Sequence, residues 1–260
     1  MPGSRAAPEP EEIYERTQEE GKRRLSRPPL ELAATALVGG FDVAFGVAAF
    51  ALAKRTVHGD AGDLIGSLAF GIGFVFVVVG RSELFTENFL IPVAGLERGR
   101  LGSWIKLAEL WAVALVVNIV GGVVLVVILT SQGVLPSGSR RPLVDLADHI
   151  SSYSTLTSFL SALVAGALMT LMTWFVEGAA DSILVRIVMA WITGTLILLG
   201  TFNHSIVSTL ELVFGMRFGA DVDVSQLLAN LGLAVGGNLV GGLLFVTFVR
   251  SVQAAEGGGD

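Results

Sequence analysis

The chain has 260 residues, of which 52% are hydrophobic and 15% charged, against roughly 25% charged in a soluble domain. That balance excludes an ordinary soluble globular protein, and the absence of cysteine excludes disulfides, thiolate metal centres and cysteine nucleophiles. The net charge of −6 falls largely in loops and tails, so it gives no reason to expect a nucleic-acid partner; no metal or cofactor is expected either.

Taken in chain order, residues 1–29 are polar and mixed in charge ("EPEEIYERTQEEGKRRLSRPP" from position 9). They lack the apolar core of a signal peptide. The expectation is a solvated cytoplasmic tail with a short helix near Pro10–Leu25. Six apolar runs follow, read against the roughly 20 residues that cross a bilayer. They cover 30–53, 63–94, 104–129, 153–176, 182–214 and 224–249. The second is interrupted by "GRSELFTENFL" and the fifth by "GTFNHS". Residues 30–250 thus form one transmembrane unit, and 251–260 a cytoplasmic C-terminal tail.

With the amino terminus inside, the inner segments carry eleven Lys and Arg residues, Arg5 and Arg98 among them, and the outer segments five. Positive residues favour the cytoplasmic side. Both termini are therefore expected in the cytoplasm, in a multi-pass protein of a bacterial inner membrane.

The two halves align at an offset of 120 residues. Gly46 meets Gly166, Gly80 meets Gly200, and "NIVGGVVLVV" (118–127) meets "NLVGGLLFVT" (238–247). The two polar interruptions align at the same offset. Three spans per half is an odd number, so the halves enter the membrane from opposite sides. The expected fold class is an all-α membrane protein with an inverted 3+3 repeat and broken helices two and five.

Backbone groups cannot go unpaired in hydrocarbon, so each break must line a cavity or be buried in protein. The half-helix amino ends near Thr86–Asn88 and His204–Ser205 are expected to offer free N–H groups to an anion or polar solute. Thr86 and Asn88 suit helix capping. His204 is an ionisable side chain at a break, which makes it the leading functional residue; the competing reading is a neutral histidine that only caps the fifth helix. Glu83 and Glu87 read as buried acids or proton carriers, with Glu83 more simply an acceptor for N–H groups freed by the break. Arg81 either pairs with one of them or faces the conduit. Phe70 and Phe74, spaced i, i+4, share a face leading into the first break. His58 and His149 fall in outer loops and receive no role.

"GRSELFTENFLIP" together with "TFNHSIVSTLELVFG" resembles the formate/nitrite transporter family, over about residues 30–250. The resemblance implies an aquaporin-like six-helix protomer, cytoplasmic termini and a homopentamer with a conduit in each protomer. It places His204 as the central histidine and Thr86 as its hydrogen-bonding partner on a mobile loop. Leu84, Phe70, Phe74 and Ile197 fall at the apolar constrictions. It implies passage of a weak-acid anion such as formate or nitrite, crossing the dry barrier as the neutral acid, with a proton from water or through His204. Three features depart from the family pattern. Arg81 stands where the loop usually has glycine, Asn203 stands where members often have an acid, and "HISSYSTLTSFLSALVAG" (149–166) lacks a lysine. A channel for another ion, including a cation such as sodium, therefore stays open, as does a non-conducting scaffold. An aquaporin would need paired N-P-A motifs, and neither break has one. An intramembrane protease would need a serine–histidine dyad, which adjacent His204 and Ser205 on one helix do not provide; no enzyme activity is expected.

Overall fold

The computed structural model describes residues 8–97, 99–179 and 182–257; Arg5 and Arg98 of the charge count, and the last three residues of the expected C-terminal tail, lie outside them. Among the described residues the chain is helical, without strands. An amphipathic helix α1 (Pro10–Leu25) is followed by α2 (Pro29–Lys54), α3 (Gly59–Gly80), a tight 3-10 turn at Phe85–Phe89 and a short α4 (Ile91–Ala94). The first half ends with α5 (Leu101–Leu129). Then come α6 (Arg140–Ser151), α7 (Thr155–Gly178), α8 (Ile183–Leu199) and α9 (Ser205–Phe218). Last are α10 (Val224–Gly242), a π-helical segment Leu243–Phe248 and α11 (Val249–Gly257). Among the described residues five helices are long and apolar enough to cross a membrane, and α8 is a shorter apolar helix. The expected second and fifth runs are divided, one into α3 and α4, the other into α8 and α9.

Local chemistry sets the helix starts. Pro29 opens α2, where its missing N–H has no intrahelical partner to lose. Ser154 caps α7 by accepting the Thr157 N–H at 3.1 Å. Asp223 and Gln226 close a reciprocal capping box at α10, each backbone N–H meeting the other side chain at 2.8 Å. Apolar side chains also face outward: Leu101, Ile105 and Leu244 are all exposed. Only 28% of the apolar stretch of α5 is buried. A helix that is apolar all round, yet mostly uncovered, belongs in lipid.

Inside, α2 lies against α3 and α5, α7 against α10, and α3 against α8. The helices approach closely where glycine lets them: a Cβ at Gly166 would sit 2.1 Å from the Asn238 carbonyl oxygen. The two amphipathic helices hold equivalent places, α1 against α4 and α6 against α9. α1 precedes the start of α2, whereas Phe50 and Lys54 at the end of α2 share a cavity with Asp145 and His149 of α6. They therefore sit at opposite ends of a 26-residue helix, about 39 Å long at 1.5 Å per residue.

The helix expected at Pro10–Leu25 is present, but it is not a solvated tail. Thr17 and Gly21 are buried, and a Cβ at Gly21 would lie 2.1 Å from the Ile91 carbonyl oxygen of α4. Its amphipathic pattern was legible; the groove that takes its buried face is made by chain 70 residues further on.

Candidate functional site

Both breaks are built by the same device. α3 ends at Gly80, Arg81 takes a left-handed backbone (φ 56°), and the Ser82 N–H returns to the Val77 carbonyl at 3.1 Å. One hundred and twenty residues later α8 ends at Leu199, Thr201 is left-handed (φ 45°), and the Phe202 N–H returns to the Ile197 carbonyl at 2.9 Å. Left-handed backbone costs a non-glycine residue roughly 1–2 kcal/mol. That accounts for a glycine preference at the position of Arg81. A buried asparagine then spans each break. Asn118 of α5 accepts the Phe85 N–H at 2.9 Å and donates to the carbonyls of Glu83 (2.8 Å) and Ala36 (2.6 Å). Asn238 of α10 accepts the Ser205 N–H at 2.8 Å and donates to Asn203 (3.0 Å) and Ala162 (2.9 Å).

Those asparagines do the work expected of Glu83. The backbone N–H of Glu83 goes to the Thr35 carbonyl at 3.1 Å, and its carboxylate, fully buried, pairs with Arg24 of α1 and with Arg27 of the link between α1 and α2. Arg24 Nη1 also donates to Asn88 Oδ1 at 2.9 Å. Arg81 is not the partner of Glu83; it lines a cavity of about 190 Å³ with Glu87, Glu177, Arg186 and the arginines of α1. Nor do Thr86 and Asn88 cap a helix. Asn88 Nδ2 donates to the Leu84 carbonyl at 3.3 Å, and the amino end of α4 has no side-chain cap. Two more helices fasten this stretch: Trp111 Nε1 donates to the Asn88 carbonyl and Thr247 Oγ1 to the Phe89 carbonyl, both at 2.8 Å.

The second break carries the imidazole. His204 Nδ1 accepts the N–H groups of Ile206 (3.3 Å) and Val207 (3.1 Å), so it caps α9. The half-helix amino end is therefore already occupied by its own cap. Because Nδ1 accepts, the hydrogen-bond network assigns the ring proton to Nε2, which lies 2.8 Å from Thr86 Oγ1. The two breaks meet at this bond, which joins residues 118 positions apart. Both are completely buried, as are Phe70, Phe74 and Leu84. Phe70 and Phe74 are edge-to-face with centroids 5.5 Å apart, and Phe74 lies 6.0 Å from the His204 ring. Ile197 joins the same buried cluster. Asn203 is wired sideways instead, donating to Ser158 Oγ (2.7 Å) and Asn230 Oδ1 (2.9 Å).

Polar residues that the sequence reading passed over complete the picture. Asp42 of α2 accepts the Ser82 hydroxyl at 2.6 Å, and Glu211 is buried on α9 two turns beyond His204. His149 is not in a loop: it lies on α6, with Nε2 3.3 Å from Thr201 Oγ1. Asp42 and Glu211 are polar residues in apolar runs, which was visible, whereas the amphipathic α6 that carries His149 lies between two runs; in each case the partner across the fold was not visible.

Two interrupted helices meeting at a buried imidazole, inside a bundle with an apolar exterior, define a class of helical membrane protein. The chain belongs to the formate/nitrite transporter family, whose model matches residues 11–252, and it is a multi-pass membrane protein. It is 25% identical over 245 residues to "Inner membrane protein YfdC" of Escherichia coli (strain K12), covering 93% of this chain and 77% of that protein. It is 24% identical over 251 residues to "Uncharacterized transporter YrhG" of Bacillus subtilis (strain 168), covering 92% and 91%. Among solved structures, it resembles an "FNT family ion channel" with a TM-score of 0.79 and 17% identity, over 92% of this chain and 98% of that one. It also resembles a "Pentameric formate channel with formate bound" at 0.73 and 21%, over 86% and 96%.

Proposed function

We propose that the chain is a membrane channel or transporter for a small monovalent anion of a weak acid, of which formate and nitrite are the type. The fold we infer is six-span, in two oppositely inserted halves of three. A homopentamer in a bacterial inner membrane, both termini cytoplasmic, completes the reading. The observation that carries it is the Thr86–His204 bond at 2.8 Å, in which Nε2–H donates to Thr86 Oγ1 and leaves the threonine hydroxyl hydrogen as a donor at the meeting point of both breaks. One cavity lies on the α1 side of this point, bordered by Val77 and Val78. Another, of about 320 Å³, lies on the α6 side, bordered by Leu198 and Leu199.

Between them the barrier is apolar, formed by Phe70, Phe74, Leu84 and Ile197. Moving a carboxylate through such a barrier costs several kcal/mol, whereas a neutral acid crosses far more cheaply. The solute therefore picks up a proton before the barrier. With Nδ1 committed to capping α9, His204 is poorly placed to relay a proton through its ring. Water in the cavity is the better donor, and the Thr86 hydroxyl, held in place by His204 Nε2–H, orients the solute by hydrogen bonding.

A second reading rests on a different observation. Glu83 and Asn88 form an acceptor pocket that a guanidinium, Arg24, occupies, and a pocket that holds one cation suits another. Proteoliposome flux of formate, nitrite, chloride and sodium separates the two. Anion uptake above empty liposomes, lowered about tenfold or more by His204→Phe, supports the first reading. Sodium flux alone supports the second, and no flux of any solute would return the chain to a scaffold role.

A further inference from the structure

The left-handed residue of the second break is a threonine, whose branched Cβ makes positive φ a harder fit than it is for the unbranched Arg81. Something outside the break must hold it. Tyr153, between α6 and α7, donates from Oη to the Thr201 carbonyl at 3.0 Å and lies 2.7 Å from Thr201 Oγ1. Thr201 Oγ1 gives its own hydrogen to the Gly200 carbonyl at 2.8 Å. His149 Nε2 completes the group, 3.2 Å from Tyr153 Oη and 3.3 Å from Thr201 Oγ1. Each hydroxyl carries one hydrogen and the 2.7 Å Oη–Oγ1 contact shares one of them, so the role of Nε2 in this network follows its tautomer. Its ring also stands edge-on to Tyr153 with centroids 5.2 Å apart.

We propose that Tyr153 and His149 are positioning residues for the solute path: they clamp Thr201 in its left-handed conformation and so fix where His204 stands. Three links connect clamp to imidazole. Thr201 is three residues before His204, the intervening Asn203 is pinned to Ser158 and Asn230, and His204 caps the helix that follows. A strained residue persists only where its surroundings over-determine it. Releasing the clamp lets residues 201–204 relax, carrying the imidazole off Thr86. Thr201 and His149 both line the 320 Å³ cavity on the α6 side, which makes the clamp part of its wall.

The inference rests on the transport reading, and its test keeps the two apart. Hydrogen–deuterium exchange of the purified full chain reads the clamp without any flux. Tyr153→Phe should speed exchange of residues 202–205 by roughly fivefold to tenfold, as one lost hydrogen bond does for local opening. Thr201→Gly, which removes the need for a clamp, should bring Tyr153→Phe back close to wild type. His149→Gln, with a donor amide near the same place, should resemble wild type, whereas His149→Leu should not. Solute flux should fall and recover in the same order. Unchanged exchange in Tyr153→Phe, loosening spread evenly over α7 and α9, or failure of Thr201→Gly to rescue would each overturn the proposal. Absence of flux from the wild type would overturn the transport reading instead, with exchange still deciding the clamp.

Discussion

A carboxamide has an acceptor oxygen and two donor hydrogens, and Asn118 and Asn238 each use two of these on backbone groups of a break and the third on the carbonyl of a neighbouring helix. Replacing Asn238 with alanine strands the Ser205 N–H and the Asn203 carbonyl and takes a second donor from the Ala162 carbonyl of α7, where water is scarce. A buried unsatisfied group costs about 1–3 kcal/mol, so the loss should be roughly 2–4 kcal/mol, read as a fall in the thermal midpoint of detergent-purified protein. Asn238→Asp should fall nearly as far, because a carboxylate accepts the N–H but cannot donate to two carbonyls. A midpoint equal to wild type for the aspartate variant would mean the donor side of Asn238 is idle. The pairing of these asparagines was visible as a match between two "N-x-V-G-G" stretches. Their task was not, since the partner carbonyls lie 35 to 82 positions away in sequence. The capping role of His204 was legible as the competing reading of a histidine at a break, but that one ring would both cap α9 through Nδ1 and meet Thr86 through Nε2 is a fact of backbone direction.

Among the elements, α1 shows how charge docks an amphipathic helix. Burial presses most strongly to raise the Glu20 carboxyl, yet hydrogen bonding from Arg23 and the charges of Arg24 and Arg23 outweigh it and bring it from 4.5 to about 2. Burial likewise works against the Arg24 guanidinium, and the combined charges of Glu83, Glu87, Glu20 and Glu177 overcome it and raise its pKa. The sign of the linkage is fixed by the lowered acid. Glu20 contributes stability in full above its unfolded value near 4.5, and that contribution drains away as pH falls from there toward 2. Protease nicking of α1 should therefore increase between pH 4.5 and 2 in wild type, and Glu20→Gln should show the loosened level already at neutral pH. Identical nicking of both proteins at neutral pH would remove Glu20 from the docking. Arg27, just past the end of α1, carries a larger stake. Removing one member of a buried ion pair costs about 3–5 kcal/mol, so Arg27→Gln should destabilise clearly, and adding Glu83→Gln should recover part of the loss in thermal midpoint.

For the whole molecule, the offset of 120 residues reaches beyond the matched glycines to the conformations themselves. Arg81 and Thr201, Asn118 and Asn238, and the docked pairs α1–α4 and α6–α9 all correspond. On the proposed six-span reading each half has three crossings, so the second half enters the membrane from the face opposite the first. The segment after α1 and the segment before α6 then lie on opposite sides. The chain has no cysteine, so single reporters can be placed without background. Ser26 and Ser137 are both exposed and flank those two segments. In intact cells a membrane-impermeant maleimide should modify Ser137→Cys and spare Ser26→Cys, which should react only after permeabilisation. Labelling of both from the same side would defeat the opposed-halves topology, and with it the placing of the two cavities at opposite ends of one path through His204.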